Sequence, residues 1–354
     1  NVQDGSSTTT DGTFTVTQGK LEGLSLGQLS FDGSNDNATA ADTFMDNAIT
    51  ADLTLSLWFN TTGTSNDMIM WSRGDSWETC NWILHMDGRA ANGNGNLVFQ
   101  TKDGVTLSSA NNGWNDGNWH HAVVTYDIDG DRKLYVDGLL EKSTGDSAAY
   151  DASEAAHNES IYFGSRGSGN WFPGKLRDVK LFNQTALSEE QVMSMYNGTF
   201  LIKPYHWWKM DDYGLHASGS ATIEDFGTGT DADGAKSGAT WQAGTLDLDS
   251  DLAITANGTF SAPRGNLDLA SNFDNAGTYT HNNGKVVSSS TTYINSGGSY
   301  DVDPVFYNFE STAGQTRFYS NTTIENNLTT SGSASTTYIW TNKTLTMGTA
   351  TSAA

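Results

Sequence analysis

Short apolar runs recur along this chain, and almost none of them repeats with a helical period. GQLSFDG, LTLSLWFN, DMIMWSR, NWILHMDG, NLVFQTKDG, SIYFGS and GKLRDVKLFN follow one another between Gly27 and Asn183, most of them bounded by Gly, Asp or Asn. Apolar and polar positions that alternate between turn formers predict half-buried strands. The clearest case is WHHAVVTYDIDGDRKLYVDG, Trp119 to Gly138, where two strand patterns flank a polar turn and so predict a hairpin. Ala122, Val124 and Tyr126, or their alternates, would face inward, and Tyr135 and Val136 would continue the return strand. One segment breaks the rule. In TALSEEQVMSMYNG, Ser188 can cap a helix, Glu190 and Gln191 fall in its first turn, and Val192, Met195 and Tyr196 make an apolar stripe that Gly198 stops.

From Thr245 the texture changes to very short strand patterns separated by Asn-Gly, Ala-Gly and Asn-Asn-Gly turns, with TLDL, NLDL and TLTM recurring. This resembles the repeat regions of bacterial adhesins and virion fibres built as stacked β-coils; a second small β-sandwich is the alternative. A chain of 354 residues exceeds what one hydrophobic core usually serves. The expected plan is all-β in four parts: an extended segment 1–20, a sandwich 21–200, a linker 201–244 and a β-repeat stalk 245–354. Strand patterns with unpaired ends also predict continuation by further repeats or by neighbouring subunits, and a homo-oligomer is expected.

FDGSNDN, LSLWF, WHHAVVTYD, LYVDG, IYFGS, GKLRDVKLFN and ALSEEQVMSMYNG stand in the order found in laminin-G-like, concanavalin A-like jelly-roll domains. Each piece is weak alone; seven in order over residues 21–200 make a specific resemblance. It implies an antiparallel jelly roll of two curved sheets. Members of that family usually begin with a strand like WWKMDD followed by a Gly-rich loop and GATW, which here come late, at Trp207–Asp212 and Gly238–Trp241. Either they are the start of an unfinished second copy, or Trp207–Asp212 pairs back and supplies the missing first strand of the jelly roll. The second is preferred, because leaving Trp207, Trp208 and Met210 exposed would cost solubility.

The same resemblance frames the chemistry. Glycoside hydrolases of the laminarinase type share the architecture but carry a Glu-x-Asp-x-(x)-Glu strand motif, which is absent here. His120 and His121 lack a nucleophile elbow, and the recurrence of WHH in the family implies a hydrogen-bonded structural histidine. Calcium is the cofactor the family suggests, with Asp178 in the last strand as a ligand and Asp36 in FDGSNDN as a second. Asp127, Asp129 and Asp131 lack the closing Glu of a calcium loop and read as a hairpin turn.

A net charge of -23 opposes phosphate backbones and anionic membranes, so neither nucleic acid nor membrane insertion is expected. The single cysteine, Cys80, rules out an intrachain disulfide. The chain has no apolar run of about 18 residues, and its termini, without signal peptide or initiator Met, read as those of a piece of a longer protein. Glycan binding needs aromatic faces beside polar groups, and Trp77, Trp114 and Trp171 fall in predicted loops. Trp58, Trp82 and Trp119 fall in strands and are assigned to the core. Arg73-Gly74-Asp75 and the nine Asn-x-Ser/Thr sequons are frequent enough by chance to receive no role. The expected function is a non-enzymatic extracellular adhesion or structural protein of a phage, virus or bacterial surface fibre. Its lectin-like domain would bind a host-surface glycan, a receptor or neighbouring subunits. The alternatives are a spacer without sugar binding and, last, a glycan-active hydrolase.

Overall fold

The computed structural model of the chain describes residues 14–16, 19–21, 27–41, 52–74, 82–88, 94–101, 105–128, 130–144, 160–167, 169–198, 200, 202–210, 221–242, 245–248, 251–263, 265–295, 302–332 and 335–348. They fall into two compact units. Gln28–Asp212 and Gly219–Gln242 form one, and Val2–Gly27, Tyr213–Ser218 and Ala243–Ala354 form the other.

The first unit is an antiparallel jelly-roll sandwich. One sheet runs Leu139–Thr144, Arg132–Val136, Trp119–Tyr126, Leu53–Thr61, Pro173–Asn183, Gln28–Asp32 and Thr240–Gln242, with His206–Trp208 paired to the far end of Pro173–Asn183. The facing sheet runs Thr222–Ile223, Gly234–Ser237, Asn37–Ala40, Ile161–Phe163, Met68–Arg73, Trp82–Asp87, Asn96–Thr101 and Thr106–Ser108. Strand alternation divides each strand between the core and the opposite face. Leu53, Leu55, Leu57 and Phe59 point inward, as do Ala122, Val124, Tyr126 and Val136, and meet Trp71, Trp82, Phe99 and Trp208 in one buried cluster. The segment around Trp207 thus pairs back onto the sandwich, where Trp208 is fully buried.

Outside the first sheet lies the helix Glu189–Tyr196. Ser188 accepts from the Gln191 amide and the Gln191 side chain accepts from the Ser188 amide, so two orphan donors of the first turn are satisfied reciprocally. Leu187, Val192 and Met195 then bury against Val123, Tyr135 and Phe182, the outward positions of three strands.

The second unit is a β-solenoid of about four turns. Its sheets are parallel, and residues stack by coil. Leu246, Leu267, Val286, Phe309 and Leu328 form one apolar column, and Leu252, Phe273, Ile294, Phe318 and Ile339 form another. The strands Phe14–Val16 and Gly19–Leu21 belong to this unit, where they pair in parallel with Leu252–Ile254 and Gly258–Ser261. The stacked-coil reading of the C-terminal region holds, and the small-sandwich alternative does not.

Candidate functional site

One end of the sandwich carries loops fastened to one another by side chains. In the loop before Trp119, the Asn115 amide donates to the Gly63 carbonyl at 2.7 Å, and the Gly117 N–H donates to the Thr61 carbonyl at 3.0 Å. Thr61 in turn donates its hydroxyl to the Pro173 carbonyl at 2.5 Å and accepts from the Gly63 amide. The Trp114 amide reaches the Gly95 carbonyl, and the Gly113 amide reaches that of Asn94. Two glycines make the closeness possible. Gly95 has φ +93° and faces the Asn115 carboxamide, and Gly33 has φ +76° and faces Pro173, so a Cβ at either would clash. The loops after Asp32, Thr61, Ser108 and Phe163 are thereby held as a polar rim.

Two of the expected aromatics stand on this rim. Trp114 is half-buried; its Nε1 donates to the Asn111 carbonyl at 3.1 Å and its ring meets His120 edge-on, centroids 5.0 Å apart. Trp171 is half-buried too, next to Phe172, which is fully buried and edge-on to Phe31. The Trp171 indole has no ring or hydrogen-bond partner among the described residues. Trp77, Cys80 and Asp129 lie outside the described residues.

The tract Trp119-His120-His121 alternates across its strand, and each residue has a separate task. His120 sits between two carboxylates, Nδ1 2.8 Å from Asp137 and Nε2 3.2 Å from Asp116, and so ties the rim loop to the hairpin turn. Burial pushes its pKa down, but the hydrogen bonds and charges of Asp137 and Asp116 outweigh that and hold it above the ordinary imidazole value. His121 shares its Nε2 with the Ser56 hydroxyl at 2.8 Å and stacks on Trp58; burial, reinforced by Lys180, pushes its pKa down to about 3. A neutral, desolvated imidazole beside a buried serine on the outer face of the sheet is a packing element.

The placement of the strand tryptophans differs from expectation for two of three. Trp82 is in the core. Trp58 and Trp119 are half-buried on the outer face of the first sheet, with the Arg177 guanidinium 5.1 and 4.3 Å from their ring centroids. The pattern LTLSLWFN carries the signal, since Trp58 shares its parity with Thr54, Ser56 and Asn60 and not with the leucines.

The expected calcium ligands have other partners. Asp178 lies 2.6 Å from Lys180 Nζ through one oxygen and accepts from Trp207 Nε1 at 2.5 Å through the other. Burial alone would raise its pKa; Lys180, Trp207 and Arg177 hold it below the ordinary carboxylate range. A dication there would displace an ammonium already in contact. Asp36 is buried and accepts from the Asp32 amide at 2.8 Å, which closes the loop after Gln28–Asp32. Among the described residues no group of three or more His, Cys, Asp or Glu could hold a metal ion. The tract after Tyr126 is a turn in which Asp131 accepts from Ser143.

Residues 32–193 match the family model described as the Concanavalin A-like lectin/glucanases superfamily, and they fall within the antiparallel sandwich unit. Among solved structures, a candidate carbohydrate binding protein from Bacteroides ovatus aligns with TM-score 0.45 and 16% identity over 61% of this chain and 59% of its own. The heptameric SAP-like pentraxin from Limulus polyphemus aligns with TM-score 0.36 and 15% identity, over 48% and 81%. The binding domain of botulinum neurotoxin serotype D aligns with TM-score 0.35 and 20% identity, over 56% and 49%. No curated protein sequence matches the chain.

Proposed function

We propose that this is a non-enzymatic extracellular protein of a virion or bacterial surface fibre. In this reading the sandwich binds a host glycan or glycosylated receptor at its loop rim, and the solenoid is the stalk that carries it. The observation behind the binding half is Trp171, an indole without an intramolecular partner among the described residues, on a loop clamped by Thr61 and bordered by backbone amides and carboxamides. Sugar rings stack their C–H faces on such indoles while their hydroxyls take up adjacent donors and acceptors. A shallow site of this kind gains strength from repeated copies, which suits an oligomeric fibre.

The spacer reading has its own support in Trp114, whose indole is spent on its own loop. A glycan-array screen of the full chain separates the two. Binding that falls at least about tenfold in Trp171→Ala, and less in Trp114→Ala, supports the rim as a lectin site; about 1.4 kcal/mol corresponds to that factor. Silence across the array overturns it in favour of the spacer.

A further inference from the structure

The outer face of the first sheet, beside the helix, carries side chains outside the core, of which Asn60 is tied to the rim through its carboxamide N–H on the Gly117 carbonyl and keeps its carboxamide oxygen for a ligand. Strand register sets them in rows. Lys175 lies beside Asn60 and Asn60 beside Trp119, while Arg177 lies beside Trp58 and Trp58 beside His121. Past Lys175 the first row continues through Ser30 to Thr240. Ser30, Asn60, Lys175, Trp58 and Trp119 are half-buried and Thr240 is exposed, so one row offers an indole, a carboxamide, an ammonium and two hydroxyls to the same side.

The aromatic part is preset. The buried Arg177 lies over both indoles, and His121 and Tyr196 stack on Trp58 at 4.9 and 5.7 Å. Two indoles fixed in this way lose little side-chain freedom when a ligand arrives. The charge is unbalanced. Lys175 makes no ion pair among the described residues, although the chain carries a net charge of -23. The carboxylates on adjoining segments are engaged: Asp178 by Lys180 and Trp207, Asp116 by His120 and Asn118, and Asp32 by the amides of Ser34 and Asn35. An ammonium two residues along the strand from a buried guanidinium favours an anion between solvent and sheet.

We infer that this face is a second binding surface, distinct from the rim, and that its ligand is an acidic sugar. The ring lies on Trp119, the acid group meets Lys175, and hydroxyls reach Asn60, Ser30 and Thr240. A neutral sugar would leave Lys175 unused, and a polyanion such as nucleic acid would meet the field of the whole acidic chain.

The test presents the full-length chain with matched carboxylated, sulfated and neutral glycans, using wild type, Lys175→Gln, Lys175→Arg, Trp119→Ala and Trp171→Ala. Expected is acidic-glycan binding that weakens with added salt and falls about tenfold in Lys175→Gln. It should also fall in Trp119→Ala and persist in Lys175→Arg and Trp171→Ala. The carboxylated and sulfated arms tell which acid is read. Acidic-glycan binding that is absent, or equal in wild type and Lys175→Gln, overturns the inference. Loss in Trp171→Ala but not in Lys175→Gln moves the site to the rim, and so overturns this surface while sparing the rim reading.

Discussion

The sandwich and the solenoid are both made of short β-strands, yet they close their cores in opposite ways. In the sandwich, Leu53–Thr61 lies between Trp119–Tyr126 and Pro173–Asn183, so its partners are drawn from distant parts of the chain. In the solenoid each strand lies on the equivalent strand of the neighbouring coil, and like residues stack in columns. The first arrangement gains nothing until remote segments meet; the second is close to a sum over neighbouring coils. Buried polar groups follow the same division. The sandwich uses them to clamp remote segments, as His206 does with Asp225 at 2.6 Å. The solenoid buries short hydroxyl ladders, Ser288 with Thr292 and Thr316 with Ser311.

Cavities should expose this difference most strongly. Trp82 is fully buried with its ring edge-on to Phe99, and Phe309 is fully buried between Phe306 and Phe318. Trp82→Ala and Phe309→Ala should each cost about 3–5 kcal/mol. Hydrogen exchange should then separate them. Trp82→Ala is expected to lower protection throughout the sandwich, whereas Phe309→Ala should open the coils around 285–330 first and spare the earlier ones. Uniform loss of protection across the solenoid in Phe309→Ala would show that its coils do not act as neighbour-coupled units.

What could be read beforehand follows the same line. Alternation and turn formers are local, so the all-β class, the hairpin Trp119–Val136 and the capped helix were legible from residues a few positions apart. The columns were half legible, as recurrent TLDL, NLDL and TLTM. Pairing between distant strands was not: nothing near Phe14 marks Leu252 as its partner. The same gap affected the site residues. Asp178 shows a carboxylate to the reader of the sequence, but its second oxygen is taken by an indole from another strand. Trp58 was assigned inward for its size although its strand parity places it outward, and what makes that placement tolerable is Arg177, from a strand far along the chain.

A smaller effect separates the two units by pH. His120 has a folded pKa above its ordinary value of about 6.5. Its contribution is therefore fully present below that value and is lost as pH rises through the higher folded one. Through the clamp on Asp116 and Asp137 it is expected to give the sandwich on the order of 1 kcal/mol, after allowance for solvent screening. His121, neutral in the fold down to about pH 3, acts with the opposite sign, and its contribution falls as pH drops below about 6.5. Denaturation of His120→Gln from pH 6 to pH 9 should lose the alkaline decline seen in wild type. A decline that persists unchanged would place the titrating group elsewhere.

The solenoid answers at a different pH, because in-register parallel pairing stacks like on like. Asp268 lies directly on Asp247, strand to strand at about 4.8 Å. Burial, and then the charge of Asp247, push its pKa up to about 6, while Lys285 opposes them and is itself bound to Glu310 at 2.7 Å. The folded chain thus holds a proton that the unfolded chain releases above about pH 4. Stability falls as pH rises from about 4 to about 6 and stays reduced above that. Since Asp268 is only partly buried, the cost is on the order of 1 kcal/mol rather than the full shift. Asp268→Asn should stabilise the solenoid by that amount at pH 7 and leave it unchanged near pH 4. The antiparallel sandwich, with no such stacked acid in its ladders among the described residues, should be indifferent to this substitution. A gain of equal size at both pH values would mean that the asparagine acts through its hydrogen bonds, and that the acid column carries no strain.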